Sequence, residues 1–89
     1  MYEIKKYSYE QAKKLGLIIK PSAKGNYKID VYDKNKQYIT SIGDKRYKDF
    51  PTYKQEKGIE FANERRRLYR IRHKNDSGIR GQLALQLLW

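Results

Sequence analysis

Apolar and polar residues alternate over 26–33 and again over 37–43, the clearest regularity along this chain. In the first run Tyr27, Ile29 and Val31 share one side while Lys28, Asp30 and Tyr32 share the other, as on a half-buried strand. Asp33-Lys34-Asn35-Lys36 between the runs carries turn chemistry, so the pair predicts an antiparallel β-hairpin. Two strands alone are marginal in water, and a helix or a further strand must cover the face of Ile29 and Val31. Elsewhere the period becomes helical. Ser8-Tyr9-Glu10-Gln11 has the spacing of a capping box and Gly16 is a natural stop, which predicts a short helix over 9–15. Leu17-Ile18-Ile19 then enters an extended segment, since Pro21 biases Lys20 away from helix. Pro51 suits a first helical turn, and a helix beginning near Thr52, interrupted near Gly58, continues over 59–73. After a break over 74–78, Ile79, Leu83, Ala84, Leu87 and Leu88 recur at helical spacing up to Trp89. No linker divides the chain. The expectation is a small single domain of the α+β class over 1–89: helix and connector (1–25), β-hairpin (26–43), then loop and C-terminal helices (44–89).

The helix over 59–73 changes the picture most, because it carries Arg65, Arg66, Arg67, Arg70 and Arg72. Phe61, Leu68 and Ile71, with the small Ala62, form a narrow apolar stripe expected to pack inward, and Arg66, Arg67 and Arg70 fall opposite. Guanidinium forks pair with phosphate or carboxylate in a bidentate way, so the partner implied is a polyanion or an acidic protein surface. A solvated basic face is the plainer alternative. Lys45, Arg46 and Lys48 in the preceding loop extend the candidate binding set. The net charge is +11, with +4 in residues 1–44 and +7 in residues 45–89. Positive potential is therefore concentrated in the C-terminal half, which favours nucleic acid or acidic partners without specifying a fold.

Catalytic chemistry has little support. His73 has no second histidine and no cysteine to share a metal, and Asp44 and Asp49, flanking Arg46, are better read as turn caps paired with local cations. No phosphate-cradling glycine loop is present. No enzyme activity, cofactor, metal or small-molecule substrate is expected. The nine tyrosines suit a thin core, and Tyr27 and Tyr38 alternate with aliphatics as core positions do. The competing reading has Tyr32, Tyr38, Tyr47 and Tyr53, interleaved with Lys34, Lys36, Lys45, Arg46 and Lys48, stacking bases as in single-strand binders. The run Leu17-Ile18-Ile19 is as long as any apolar run in the chain, so neither a transmembrane span nor a secretory signal is expected, and no membrane partner.

Several motifs in order carry a resemblance. Ser8 to Gly16 (Ser-Tyr-x-x-Ala-Lys-x-Leu-Gly), Ile19 to Ser22 (Ile-Lys-Pro-Ser), Lys28 to Tyr32 (Lys-Ile-Asp-Val-Tyr), Ser41 to Tyr53 (Ser-Ile-Gly-Asp-Lys-Arg-Tyr-Lys-Asp-Phe-Pro-Thr-Tyr), Ala62 to His73 and the closing Leu87-Leu88-Trp89 resemble a family of short basic proteins of unknown function from large double-stranded DNA viruses and tailed phages. The chain departs from that pattern after Gly78, where Ile79 to Leu83 replace a usual Pro-Gly and aromatic pair. The resemblance implies viral origin and assigns no binding or catalytic residues. Together with the apolar terminal helix it leads to the expectation of a non-enzymatic viral structural protein, a minor or auxiliary capsid-associated component, located in the virion and in host cytoplasm before assembly. Its partners would be capsid or other virion proteins, and DNA through backbone phosphates. Leu83, Leu87, Leu88 and Trp89 are the expected protein-interface anchor, or else the cover of the chain's own hairpin. The alternative is a sequence-independent nucleic-acid-binding accessory protein of a virus.

Overall fold

A computed structural model describes residues 2–75 and 78–89. The chain is α+β, in the order α1 (Lys6–Leu15), β1 (Ile18–Pro21), β2 (Tyr27–Tyr32), β3 (Tyr38–Asp44), α2 (Phe50–Lys57), α3 (Ile59–Arg72) and α4 (Ile79–Leu88). The hairpin forms as its alternation requires, with Ile29 opposite Ile42 and Val31 opposite Thr40. Its turn is closed by Asp33, whose Oδ1 accepts from the amides of Asn35 and Gln37 at 2.8 and 2.9 Å. The expected two-stranded core is corrected to three strands: Ile18–Pro21 pairs antiparallel with β2, placing Ile19 opposite Val31 and Pro21 opposite Ile29. Pro21 lacks an amide to donate, which a terminal residue of an edge strand tolerates.

The first helix also starts earlier than its sequence suggests. Its N-cap is Lys5, with no side-chain cap, and the Ser8 capping box is not used. Ser8 is instead fully buried within α1, and its hydroxyl donates to the Leu87 carbonyl at 2.7 Å. That carbonyl lies in the last turn of α4, where intrahelical donors run out, so a tertiary bond outcompetes the local cap. Gly16 ends α1 in the left-handed conformation, φ +70°, as its position predicts.

The core gathers Ile19, Ile29, Val31 and Ile42 from the sheet, Phe50 and Ala62 from α2 and α3, and Leu83, Ala84, Leu87, Leu88 and Trp89 from the C-terminal segment. The terminal cluster expected as a protein interface is thus the cover of the chain's own core: Leu83, Leu87, Leu88 and Trp89 are 5, 0, 1 and 8% exposed. A sheet this small has no other apolar element of comparable length to bury it. Gly43 marks the closest approach, since at φ +79° a Cβ there would lie 2.7 Å from Leu88 Cδ1.

The helix α3 is rotated relative to the expected stripe. Ala62 is fully buried, whereas Phe61, Leu68 and Ile71 are 45, 36 and 52% exposed. Arg66 takes the inward place: its guanidinium lies 3.5 Å from the Phe50 ring centroid, and Nη2 donates to the Tyr7 hydroxyl at 3.2 Å. Guanidinium planes stack well on aromatic faces and long stems cover apolar surface, so a residue counted as polar serves as packing. Gly58, at φ +92°, joins α2 directly to α3.

Candidate nucleic-acid interface

Two sequence features bring a cleft together. The first is the spacing of Ala62, Tyr69 and His73, which fall on one side of α3 at nearly whole helical turns. The second is the docking of α4, which delivers Trp89 against that side. Trp89 stacks on Tyr69 with centroids 4.3 Å apart and planes 8° apart, and Tyr69 in turn stacks on His73 at 4.2 Å and 28°. Tyr53 of α2 tilts toward Trp89 at 6.2 Å and 49°. These rings, with the 65%-exposed Tyr47 at the rim, line a cleft of about 510 Å³ that Lys28, Lys48, Arg65 and Arg72 also line.

The cations differ in how far they are committed. Lys28 is buried and its Nζ sits 2.9 Å from Asp49 Oδ2. Asp49 is itself fully buried; it also accepts from the Tyr2 hydroxyl at 2.6 Å and caps α2 by accepting from the Thr52 amide at 3.0 Å. Burial opposes ionisation of Asp49, but the Lys28 charge and the bonds from Thr52 and Tyr2 outweigh it and hold the carboxyl below its ordinary value. Burial, then the hydrogen bond to Asp49, pushes the Tyr2 phenol up. Lys28 therefore belongs to a structural pair at the cleft floor. Lys48 is half-exposed and bonded to Glu56. Arg65 lies over the Tyr53 ring, 5.4 Å from its centroid, and Arg72 is exposed. Asp44 is the one carboxylate lining the cleft among the described residues, and it is engaged: hydrogen bonds from the Arg46 side chain and amide hold its carboxyl at about 2.

The expected binding set is thus divided. Arg65, Arg72 and Lys48 line the cleft. Arg46 spans Asp44 and lies 5.5 Å from the Tyr47 ring, and Lys45 is exposed in the same loop. Arg67 pairs with Glu64 on the outer side, and Arg70 donates to the Trp89 carbonyl at 3.2 Å. Arg66 differs from its expected outward facing: its Nε is buried with no hydrogen-bond acceptor among the described residues and its guanidinium packs on Phe50, while the residue also lines the groove on the outer side of α3. The tyrosines divide as well. Tyr53 packs against the core while lining the cleft. Tyr32 and Tyr38 lie edge to face at 5.9 Å in the hairpin and do not line it. Tyr38, expected inside, is 47% exposed; its hydroxyl bonds Lys24 Nζ at 2.6 Å and Ser41 Oγ at 2.7 Å. Tyr69 and Trp89 went unrecognised as ring walls; the seven-residue step from Ala62 to Tyr69 is the signal that points to the former. Asp44 and Asp49 have separate cationic partners, Arg46 and Lys28.

Among the described residues no group of three His, Asp or Glu side chains is placed to hold a metal, and no helix is long and apolar enough to cross a membrane. Comparison of the chain with family models, curated proteins and solved structures returns no match.

Proposed function

We propose that this chain is a non-enzymatic, sequence-independent nucleic-acid-binding protein that takes single-stranded segments across the α3–Trp89 cleft. The observation that carries this reading is the placement of aromatic rings beside Arg65 and Arg72, which have no ion pair among the described residues, in one cleft whose own carboxylate is already neutralised by Arg46. Every base has a π face, so ring stacking is tolerant of sequence, while cations neutralise the backbone. Tyr47 at the rim offers the exposed ring, and Arg65 and Arg72 the phosphate contacts, which Lys48 joins by exchanging its Glu56 partner for phosphate. A labelled oligothymidylate, titrated at several salt concentrations, tests it. Affinity should fall with salt with a slope of about −0.7 per phosphate contact. Arg72→Gln should flatten that slope by about one contact, and Tyr47→Ala should cost about 1–3 kcal/mol. Binding that ignores salt, or that is unchanged by both substitutions, overturns the assignment.

A second reading, the capsid-associated role implied by the viral resemblance, is favoured by the apolar side chains that α3 leaves exposed. Copy number in purified particles separates the two: a structural component is abundant there and a replication accessory is not.

A further inference from the structure

The outer side of α3 has an order of its own. Phe61, Glu64, Leu68 and Ile71 follow one another at steps of three, four and three residues, the spacing of a two-helix seam. The residues that fill the opposite side, Ala62, Arg66, Tyr69 and His73, are those engaged with the chain's own core and cleft. The seam is therefore free of intramolecular cover over Leu68 and Ile71, and three of its four positions are apolar and 36–52% exposed. Glu64, the fourth, is tied to Arg67. Flanking positions are basic on both sides: Arg65 and Arg72 on one, Arg67 and Lys74 on the other, with Glu60 the exception in the first turn. On the Arg67 side the seam drops into a groove of about 440 Å³ lined by Asn63, Arg66, Arg67, Arg70, Ile71 and Lys74, with no carboxylate among the described residues that line it.

We propose that this seam docks an acidic amphipathic helix of another protein. Flanking charges set partner choice in helix pairs, and a partner with Glu or Asp beside its apolar stripe would face arginines on both edges while its carboxylates reach into the groove. A second copy of this chain is disfavoured by the same charges. In a parallel pair Arg67 of one copy would meet Arg72 of the other, with only Glu60 to Arg65 attractive, and each copy carries +11. A lipid surface fits less well, because Glu64 stands in the middle of the apolar stripe and would have to enter the headgroup boundary.

The test uses the full chain and two synthetic peptides of about three heptads, both with Leu along the seam, one with Glu and one with Lys at the flanks. The Glu peptide should bind and the Lys peptide should not. Leu68→Ser should weaken the Glu peptide by at least about tenfold, while oligothymidylate affinity stays unchanged because Leu68 lies outside the cleft and the substitution adds no charge beside Arg65 and Arg72. Arg67→Glu with Lys74→Glu should weaken the Glu peptide and admit the Lys peptide, a reversal that misfolding does not produce. Failure of the Glu peptide to bind, equal binding of both peptides, a dimer of the chain abolished by Leu68→Ser, or preferential binding to anionic phosphatidylserine vesicles would each overturn it.

Discussion

Asp49 concentrates more of the structure than any other single side chain, because one buried carboxylate bonds the ammonium of β2, the phenol near the N-terminus and the first turn of α2. Removing its charge leaves Lys28 buried and unpaired, a change that costs about 3–5 kcal/mol in comparable sites. Asp49→Asn, which keeps the shape and the acceptor for Thr52, should lower the unfolding free energy obtained from urea titration by that amount, read as a fall in midpoint at unchanged slope. The pH dependence has a definite sign. The Asp49 carboxyl is held below its ordinary value of 3.8, so its contribution is complete above that pH and is lost as pH falls through the lower folded value. Burial also opposes ionisation of Asp30, where bonds from Ser41 and Ser22 prevail and lower it, and Asp44 is lowered to about 2. The Asn variant should therefore show a shallower acid transition in urea midpoints measured between about pH 5 and 2, without losing it entirely. Gly43 is the other sensitive position. A methyl there would meet Leu88 at 2.7 Å in a backbone conformation that side chains rarely adopt, and Gly43→Ala should cost about 1–3 kcal/mol by the same measurement.

Among the elements, the terminal segment has become an intramolecular one. Leu87 and Leu88 are essentially inaccessible, and truncating a buried leucine to alanine costs about 2–5 kcal/mol. A domain of this size has little more than that to spare. Leu87→Ala should melt the protein at markedly lower temperature, and deletion of 83–89 should leave far-ultraviolet circular dichroism without a cooperative transition. The sequence made α4 legible because its apolar residues recur without competition. It made the hairpin legible because alternation has one structural reading. The strand β1 was harder: four residues ending in proline show extension but not a pairing partner, which register with β2 supplies. The facing of α3 was misread for a different reason. A binary scale counts Arg66 as polar, yet its guanidinium stacks on Phe50, and no periodicity of apolar residues encodes that contact.

At the scale of the molecule, charge and cleft were unequally readable. The +11 balance and its C-terminal bias are visible in composition, but the site depends on Trp89 meeting Tyr69 and on Tyr53 from another helix, contacts that only the packed fold creates. The bond from the Ser8 hydroxyl to the Leu87 carbonyl joins residues 79 positions apart. Loop closure over nearly the whole chain must precede it, and interactions of that span slow folding. During synthesis at about 5–20 residues per second, the hairpin can emerge and pair while its apolar face still lacks α4. The nascent chain is then a partly uncovered sheet whose residues 1–44 carry only +4, and it completes its core only once the segment 83–89 clears the exit tunnel.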